Sequence, residues 1–403
     1  MTIACPECGI FEDLPPLGRR HTAYCACCRI DLETTRGRSL NAALACSFAT
    51  LVLLFPVNLL PILRVDLFGR HSENVIGAGV IALWRQGWIV LAGLSAVFVV
   101  ILPFVRFSLL TSVLGALRFG YRPRWLGPVF RWAMWLDLWA MLDVYLLAAG
   151  VAYYRLSNVG YATITIELGG QCFIAAALLT MLTRASLDRR TVWRAIAREC
   201  EARPAERLVG CAVCDLVQPA SRDGERCMRC RAGLSRRKWD APWTTAAIVI
   251  AAILLFIPAN VYPMNISHQL GVKVGYTILT GIEDLFKNGQ WPLGVLVFCT
   301  SVLIPMGKNI AVGWCVVSVW RRSRRHLVAK TKVFRMVAEF GRWSKTDPFT
   351  IVFFVPLMNF GALGSATAGW GATAFMIMTF LTFIASFTFD PRLMWDAAGR
   401  PSQ

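Results

Sequence analysis

Charge is scarce in this chain. Asp, Glu, Lys and Arg make up 16% of 403 residues, and acids are scarcer than bases, 24 against 42, giving a formal net charge of +18. A soluble domain carries about 25% charged residues; here 56% of the chain is hydrophobic, which excludes a water-soluble globule. Other absences narrow the chemistry. No GxxxxGK[ST] occurs, so there is no phosphate-cradling loop. The four histidines, His21, His71, His268 and His326, lie outside the apolar runs, which argues against a bis-histidine membrane haem. Neither HExxH nor a Ser-His-Asp set is visible, and no enzyme is expected. The opening MTIACPECG lacks a basic stretch followed by an apolar one, so no cleaved signal peptide is expected. Excess Lys and Arg in a soluble chain would point to nucleic acid. In a chain this apolar they mark cytoplasmic loops instead, and no nucleic-acid partner is expected.

What is present is a set of long apolar runs. A bilayer core of about 30 Å takes about 20 mainly apolar residues per helix, and eight runs meet or approach that, near 41–60, 88–114, 133–154, 168–185, 243–263, 291–320, 341–363 and 371–389. The fold class is therefore an all-α polytopic membrane protein. Residues 1–40, the connections after spans two, four and six, and the tail hold 31 of the Lys and Arg residues, whereas the other four connections hold six. That asymmetry places both termini in the cytoplasm.

The two halves repeat. At an offset of 202 residues, Pro56-x-Asn58-x-x-Pro61 falls on Pro258-x-Asn260-x-x-Pro263, Pro103-x-x-Arg106 on Pro305-x-x-Lys308, and Asp188-x-Arg190-x-x-Trp193 on Asp390-x-Arg392-x-x-Trp395. Trp139-x-x-x-Asp143 pairs with Trp343-x-x-x-Asp347 after a two-residue shift. Each copy has an even number of spans, so the copies insert in the same orientation, as parallel repeats.

Each copy opens on cysteines. Cys5-x-x-Cys8 and Cys25-x-x-Cys28 are separated by 16 residues, and Cys211-x-x-Cys214 and Cys227-x-x-Cys230 by 12. This is the spacing of a four-cysteine ribbon, in which two knuckles surround a closed, structural Zn²⁺. So short a segment has no apolar core of its own, and metal binding would supply its folding free energy. Two structural zinc ions are expected. Cys27 is a spare thiol able to replace Cys28. A dithiol redox role would call for a βαβ setting, which is not apparent. The expected organisation is ribbon 1 over 1–40, a four-span module over 41–190, a linker with ribbon 2 over 191–240, and a second module with a short tail over 241–403.

Polar residues inside apolar spans are costly and are candidate functional groups. Only eleven residues separate Asp143 from Arg155, about 18 Å of helix, which falls short of the bilayer core; Asp143 is thus expected inside the third span. Asp347 would share its depth, with Lys345 nearby, unless Asp347-Pro348 is an N-cap followed by proline at the first helical position. The motif formed by Pro56, Asn58 and Pro61, repeated as Pro258, Asn260 and Pro263, closes the first span of each copy; it either stops a helix or shapes a pocket. Pro103 and Pro305 are expected to kink the second spans, with Arg106 and Lys308 snorkelling beyond them.

WTTAAIVIAAILLFIPANVYPM after a four-cysteine ribbon, repeated as RSLNAALACSFATLVLLFPVNLLP, with WAMLD and GRWSKTD later in each copy, resembles the paraquat-inducible protein A family. The resemblance covers essentially the whole chain. It implies a bacterial inner-membrane protein that works with a periplasmic MCE-domain partner, LetB-like or PqiB-like, whose tunnel carries membrane phospholipid. It also implies two ribbons packed together, two tetraspanin-like modules, and a proton route in the second module, here matching Lys345, Asp347, Ser344 and Thr382. The lysine and threonine of WSKTD depart from the family pattern. The competing reading is a zinc- or redox-responsive scaffold that anchors partners without transporting.

Overall fold

The computed structural model describes residues 2–14, 21–34, 39–67, 70–140, 142–157, 162–196, 208–234, 237, 240–269, 272–340 and 365–399. Helices account for most of them, as an apolar chain in lipid requires, because only a helix or a closed barrel satisfies its own backbone there. Six are long and apolar enough to cross a membrane: α1 (Leu40–Leu59), the run Ala92–Arg118, α7 (Leu168–Ser186), α9 (Ala241–Val261), the run Trp291–Trp320, and α14 (Trp370–Thr388). These match six of the eight expected spans to within a few residues. The seventh expected span, 341–363, lies outside the described residues, and with it Ser344, Lys345 and Asp347.

The third expected span differs from a single helix. It enters as α5 (Leu126–Leu136), breaks over residues 137–140, and resumes as α6 (Leu142–Ser157), whose 16 residues reach about 24 Å. The break survives because its carbonyls are taken: Arg106 Nη1 donates to the Ala140 carbonyl at 3.1 Å and Arg184 Nη2 to that of Asp137 at 3.3 Å.

The second spans carry the expected proline irregularity in a specific form. Residues Ala96–Ile101 and Cys299–Leu303 are π-helical, directly before α4 (Leu102–Arg118) and α12 (Ile304–Trp320), each with proline at its start. Proline has no N–H to give back to the preceding turn, and a π-bulge absorbs the mismatch. In the first copy the Tyr145 hydroxyl donates to the Phe98 carbonyl at 2.9 Å. In the second, Thr300 and Ser301 bond back to carbonyls of their own helix.

Among the described residues of each copy the first and fourth spans form the most extensive helix pair, α1 with α7 and α9 with α14. Each of the first pair buries small residues, among them Ala43, Ser47 and Thr50 in α1 and Gly170, Ala176 and Thr180 in α7, the means by which helices approach closely in lipid. At the end away from the cysteines, a Cβ on Gly371 would lie 2.3 Å from the Tyr262 carbonyl oxygen. There each copy also carries a three-stranded antiparallel sheet absent from the sequence reading. The strands are β5 (Leu63–Leu67), β6 (Arg70–Asn74) and β7 (Ala162–Ile166) in one, and β10 (Asn265–Gln269), β11 (Val272–Tyr276) and β12 (Ser365–Ala368) in the other. The orders are β6-β5-β7 and β11-β10-β12.

The cysteine segments fold as short hairpins, β1 (Thr2–Ala4) with β2 (Phe11–Asp13), β3 (Thr22–Tyr24) with β4 (Asp31–Thr34), and β8 (Leu208–Gly210) with β9 (Val217–Pro219). They dock crosswise. The first packs with Val312, Cys315 and Phe334 of the second copy, and with Trp395 of α15 (Arg392–Ala397). The second packs with Val113, Phe130 and Trp193 of the first copy. The two also touch each other at Gly210, where an added Cβ would meet the Ala4 Cβ at 2.6 Å. Glu7, half-buried in the first knuckle, has its carboxyl pushed up to about 7 by desolvation, with the Arg335 charge pulling it down.

Crosswise docking has a direct test. A Cβ at Gly127 in α5 would sit 2.0 Å from the Arg229 carbonyl oxygen. Gly127→Val is therefore expected to lift the second ribbon off the first copy. Limited proteolysis should then cut within 208–234 at least several-fold faster, with cleavage of 2–34 unchanged.

Candidate functional site

Two kinds of site emerge, one of sulfur and one of charge. Cys5, Cys8, Cys25 and Cys28 form one buried cluster and Cys211, Cys214, Cys227 and Cys230 another, with the thiols of each within 4.8 Å of one another. Cross-pair Sγ···Sγ distances are 3.4 Å for Cys5–Cys28, 3.6 Å for Cys8–Cys25, and 3.5 Å for both Cys211–Cys230 and Cys214–Cys227. Four thiolates around an ion at about 2.3 Å would lie about 3.8 Å apart, so each set fits a tetrahedral metal. Cys28, not Cys27, completes the first set; Cys27 stands outside it, half-buried.

All four knuckles share one backbone device. The residue after the second cysteine, Gly9, Arg29, Asp215 or Arg231, is left-handed, with φ of 78°, 58°, 56° and 55°, and its N–H bonds to the carbonyl of the first cysteine at 2.9–3.1 Å. Three of the four are not glycine, and the left-handed turn costs each roughly 1–2 kcal/mol. A Gln218 amide N–H donates to Cys227 Sγ at 3.3 Å, holding that thiol in place.

The charged site lies in the first copy, at the break of its third span. Arg106 and Asp137 are paired, and they are 1% and 4% exposed. Arg184, in the last turn of α7, reaches Asp137 at 3.0 Å and Asp143 at 2.7 Å. Arg189, on α8 (Arg189–Ile196), adds a looser, exposed contact to Asp137 at 3.6 Å. Asp143 is thus in the first turn of α6, level with the last turn of α7, and the helix does not extend through it as expected. Arg106 does not snorkel: it is buried, with Nη1 on the Ala140 carbonyl and Nη2 on Asp137, while its Nε has no acceptor among the described residues.

Lys308 does not snorkel either. It is 2% exposed, with Nζ 5.1 Å from the Phe383 ring centroid, and among the described residues no carboxylate pairs with it. The second copy also buries Asn309, next to Lys308 in α12, and Thr379, one turn before Phe383 in α14; the Asn309 Nδ2 and the Thr379 hydroxyl have no hydrogen-bond partner among the described residues. Thr382 is buried and donates to the Thr379 carbonyl at 2.9 Å. Lys308, Asn309 and Thr379 escaped the sequence reading as site residues. The repeat held the signal for Lys308, since its partner position is Arg106.

Asn58 and Asn260 behave alike. Each donates its amide N–H to the carbonyl four residues back, Leu54 and Phe256, at 2.8 Å, next to the gap that Pro56 or Pro258 leaves in the helix ladder. Pro61 and Pro263 lead straight into the sheets, and the Pro263 carbonyl accepts the Gly371 N–H at 3.0 Å. The motif therefore fastens the first span to the fourth.

A family model described as paraquat-inducible protein A matches residues 40–197 and 243–399, one match to each copy. "Intermembrane transport protein PqiA" of Escherichia coli (strain K12) is 28% identical over 407 residues, covering 98% of this chain and 95% of the relative. "Lipophilic envelope-spanning tunnel protein A" of the same organism is 31% identical over 396 residues, covering 98% and 91%. A "Probable intermembrane transport protein" of Haemophilus influenzae is 26% identical, covering 99% and 96%. No solved structure matches.

Two measurements follow from this geometry. Purified protein should carry two metal ions per chain by atomic emission, and Cys8→Ser with Cys25→Ser should leave one. Asp137→Ala, which strands two arginines, is expected to cost about 3–5 kcal/mol, read as loss of folded protein on denaturant titration in detergent. Replacing Arg106 and Asp137 together by leucine should cost far less.

Proposed function

The chain belongs to the paraquat-inducible protein A family, and from that premise we propose that it is the inner-membrane subunit of a system that moves phospholipid between that membrane and a periplasmic MCE-domain tunnel. Its ribbons hold two structural zinc ions in the cytoplasm, each in a closed set of four thiolates with no open position for chemistry. The relatives named as intermembrane transport proteins support a role in intermembrane transport.

One observation carries the mechanism: a buried Lys308 in the second copy, against a closed charge network in the first. By the repeat, Lys308 answers to Arg106 and Asp347 to Asp143, while Gly341 stands at the position of Asp137 and Ser386 at that of Arg184. At these positions the first copy balances two carboxylates with two guanidiniums, and the second retains one lysine and one aspartate. Guanidiniums stay charged at any physiological pH and grip carboxylates with two-pronged geometry; a lysine–aspartate pair offers neither constraint. We assign the locked network to a scaffold and the sparse one to a proton-responsive element. There Lys308, Asp347, Ser344, Lys345 and Thr382 would bias the second module between two arrangements as protons bind and leave.

The test is lipid transfer from proteoliposomes to a purified MCE tunnel, with and without a proton gradient. Asp347→Asn and Lys308→Met are each expected to lower gradient-dependent transfer at least tenfold while the protein stays folded. Unchanged transfer in both would remove the proton role. If both variants are tolerated and cysteine variants abolish function with protein levels intact, the chain is a scaffold.

A further inference from the structure

On the ribbon side of the second copy, a crevice of about 660 Å³ opens between the loop that follows α12 and the end of α15. Its volume falls within the range of about 300–1,000 Å³ that holds small-molecule ligands. The floor is apolar, with Leu327, Trp395 and Ala398 shared with the seat of the first ribbon. The polar part of the lining is basic: Arg324, His326 and Lys332, all exposed, with no acidic residue among them. Among the described residues, none of these three makes an ion pair or a hydrogen bond, so their N–H groups are available to a ligand.

The backbone adds donors of its own. α13 (Leu327–Phe340) starts in the crevice. Its Lys330 N–H is the first to reach back, to the His326 carbonyl at 2.9 Å. Those of Leu327, Val328 and Ala329, which also line the crevice, have no acceptor among the described residues. Amides at a helix start, on the positive end of its dipole, are suited to an anion. Gly399, with φ of 74°, lets Arg324 close over the end of α15, since a Cβ there would stand 3.2 Å from the Arg324 Nη2.

The first copy is built differently here. Gly120 falls on Arg322 at an offset of 202, but Phe130 of one ribbon seat falls on Phe334 of the other at 204, so the second copy has two additional residues in this loop. α13 begins seven residues before its phenylalanine, and α5 four before its own. Depth is marked by Trp243 and Trp320, at the ribbon-side ends of α9 and α12. They are 70% and 45% exposed and meet with ring centroids 4.9 Å apart. Tryptophan is favoured where hydrocarbon meets headgroup, and the basic loop starts at the next residue, Arg321.

We propose that this crevice binds a phosphate-bearing anion with no attached ammonium, whether free phosphate or the headgroup of an anionic phospholipid on the ribbon side. Arg324 and Lys332 supply two unpaired cations, His326 an imidazole N–H that donates in either charge state, and the start of α13 three free amides. With no carboxylate in the lining, an ammonium has nothing to receive it, so a zwitterionic headgroup is the poorer match. The site goes beyond the transport reading and does not rest on it.

The experiment measures backbone hydrogen exchange by mass spectrometry on the full chain in nanodiscs of dioleoyl phosphatidylcholine. Two changes are compared: addition of millimolar inorganic phosphate, and replacement of part of the lipid by dioleoyl phosphatidylglycerol. At least one should slow exchange of the 327–329 amides about tenfold, the effect of a ligand near ten times its dissociation constant. Protection by inorganic phosphate assigns a site open to free anions, and protection by phosphatidylglycerol alone assigns a lipid headgroup. A negative surface also repels the hydroxide that catalyses exchange; segment 119–130, the basic loop of the first copy, reports that effect and should change little. Arg324→Gln combined with Lys332→Gln, both at exposed positions, should abolish the protection and leave exchange elsewhere as it was. No slowing with either change, equal slowing in both loops, or slowing indifferent to the double substitution overturns the proposal. Lipid transfer is not read, so the outcome is independent of the transport reading.

Discussion

The contact between Arg106 and Asp137 decides how the first copy can be built. A carboxylate and a guanidinium taken out of water are tolerated only when each keeps nearly all its hydrogen bonds. Here the pair engages both side chains and main chain, and of the Arg106 nitrogens only Nε lacks an acceptor among the described residues. Arg106 and Arg184 bond the carbonyls that a broken helix leaves behind, so the charges hold the break and the break supplies acceptors for the charges. The resulting kink turns Trp139 across to the second copy, where it stacks on Phe380 with ring centroids 5.9 Å apart and meets Phe383 edge-on at 4.8 Å. Lys308 lies over that same Phe383 ring. One buried ion pair is therefore connected, through two aromatic rings, to the buried Lys308 of the other half.

Duplication explains both the likeness and the contrast between halves. Two copies inserted in the same orientation start with the same helices, the same proline bulges and the same sheets. Once one copy supplies a rigid frame, the other is free to lose frame residues. The tyrosine that caps the first bulge, Tyr145, falls on Phe349, which has no hydroxyl, and the second bulge is satisfied locally by Thr300 and Ser301 instead. Divergence of this kind leaves the two halves with different ways of satisfying the same bulge without changing the fold.

Much of this was legible in the sequence, and for identifiable reasons. Runs of about 20 apolar residues have one outcome in lipid, which is why α1, α7, α9 and α14 fall where hydropathy puts them. Cys-x-x-Cys pairs fix their own knuckle geometry, which is why the eight cysteines come together in two sets of four. The break at 137–140 was not legible because nothing in Asp-Leu-Trp-Ala stops a helix locally; distant arginines cause it. Arg106 and Lys308 were misjudged from their closeness to the span ends, since sequence distance does not reveal which helix face a long side chain takes. The sheets were overlooked because Asn-Ile-Ser-His-Gln and Val-Lys-Val-Gly-Tyr are short and half-polar, and each needs a third strand from far along the chain, as in the pairing of His268 with Ser365.

The exchange of ribbons between copies has a consequence for biosynthesis. The first ribbon emerges from the ribosome before any helix that will receive it. Its seat on Val312, Phe334 and Trp395 is complete only when nearly the entire chain has been translated, roughly 20–80 s later at ordinary elongation rates. Through that interval it has to persist undocked while both sets of spans are threaded past it. The second ribbon faces no such delay, because its seat on Val113, Phe130 and Trp193 already exists when it appears. Maturation is thus ordered in time: the rear clasp shuts first, and the earlier-made ribbon docks last.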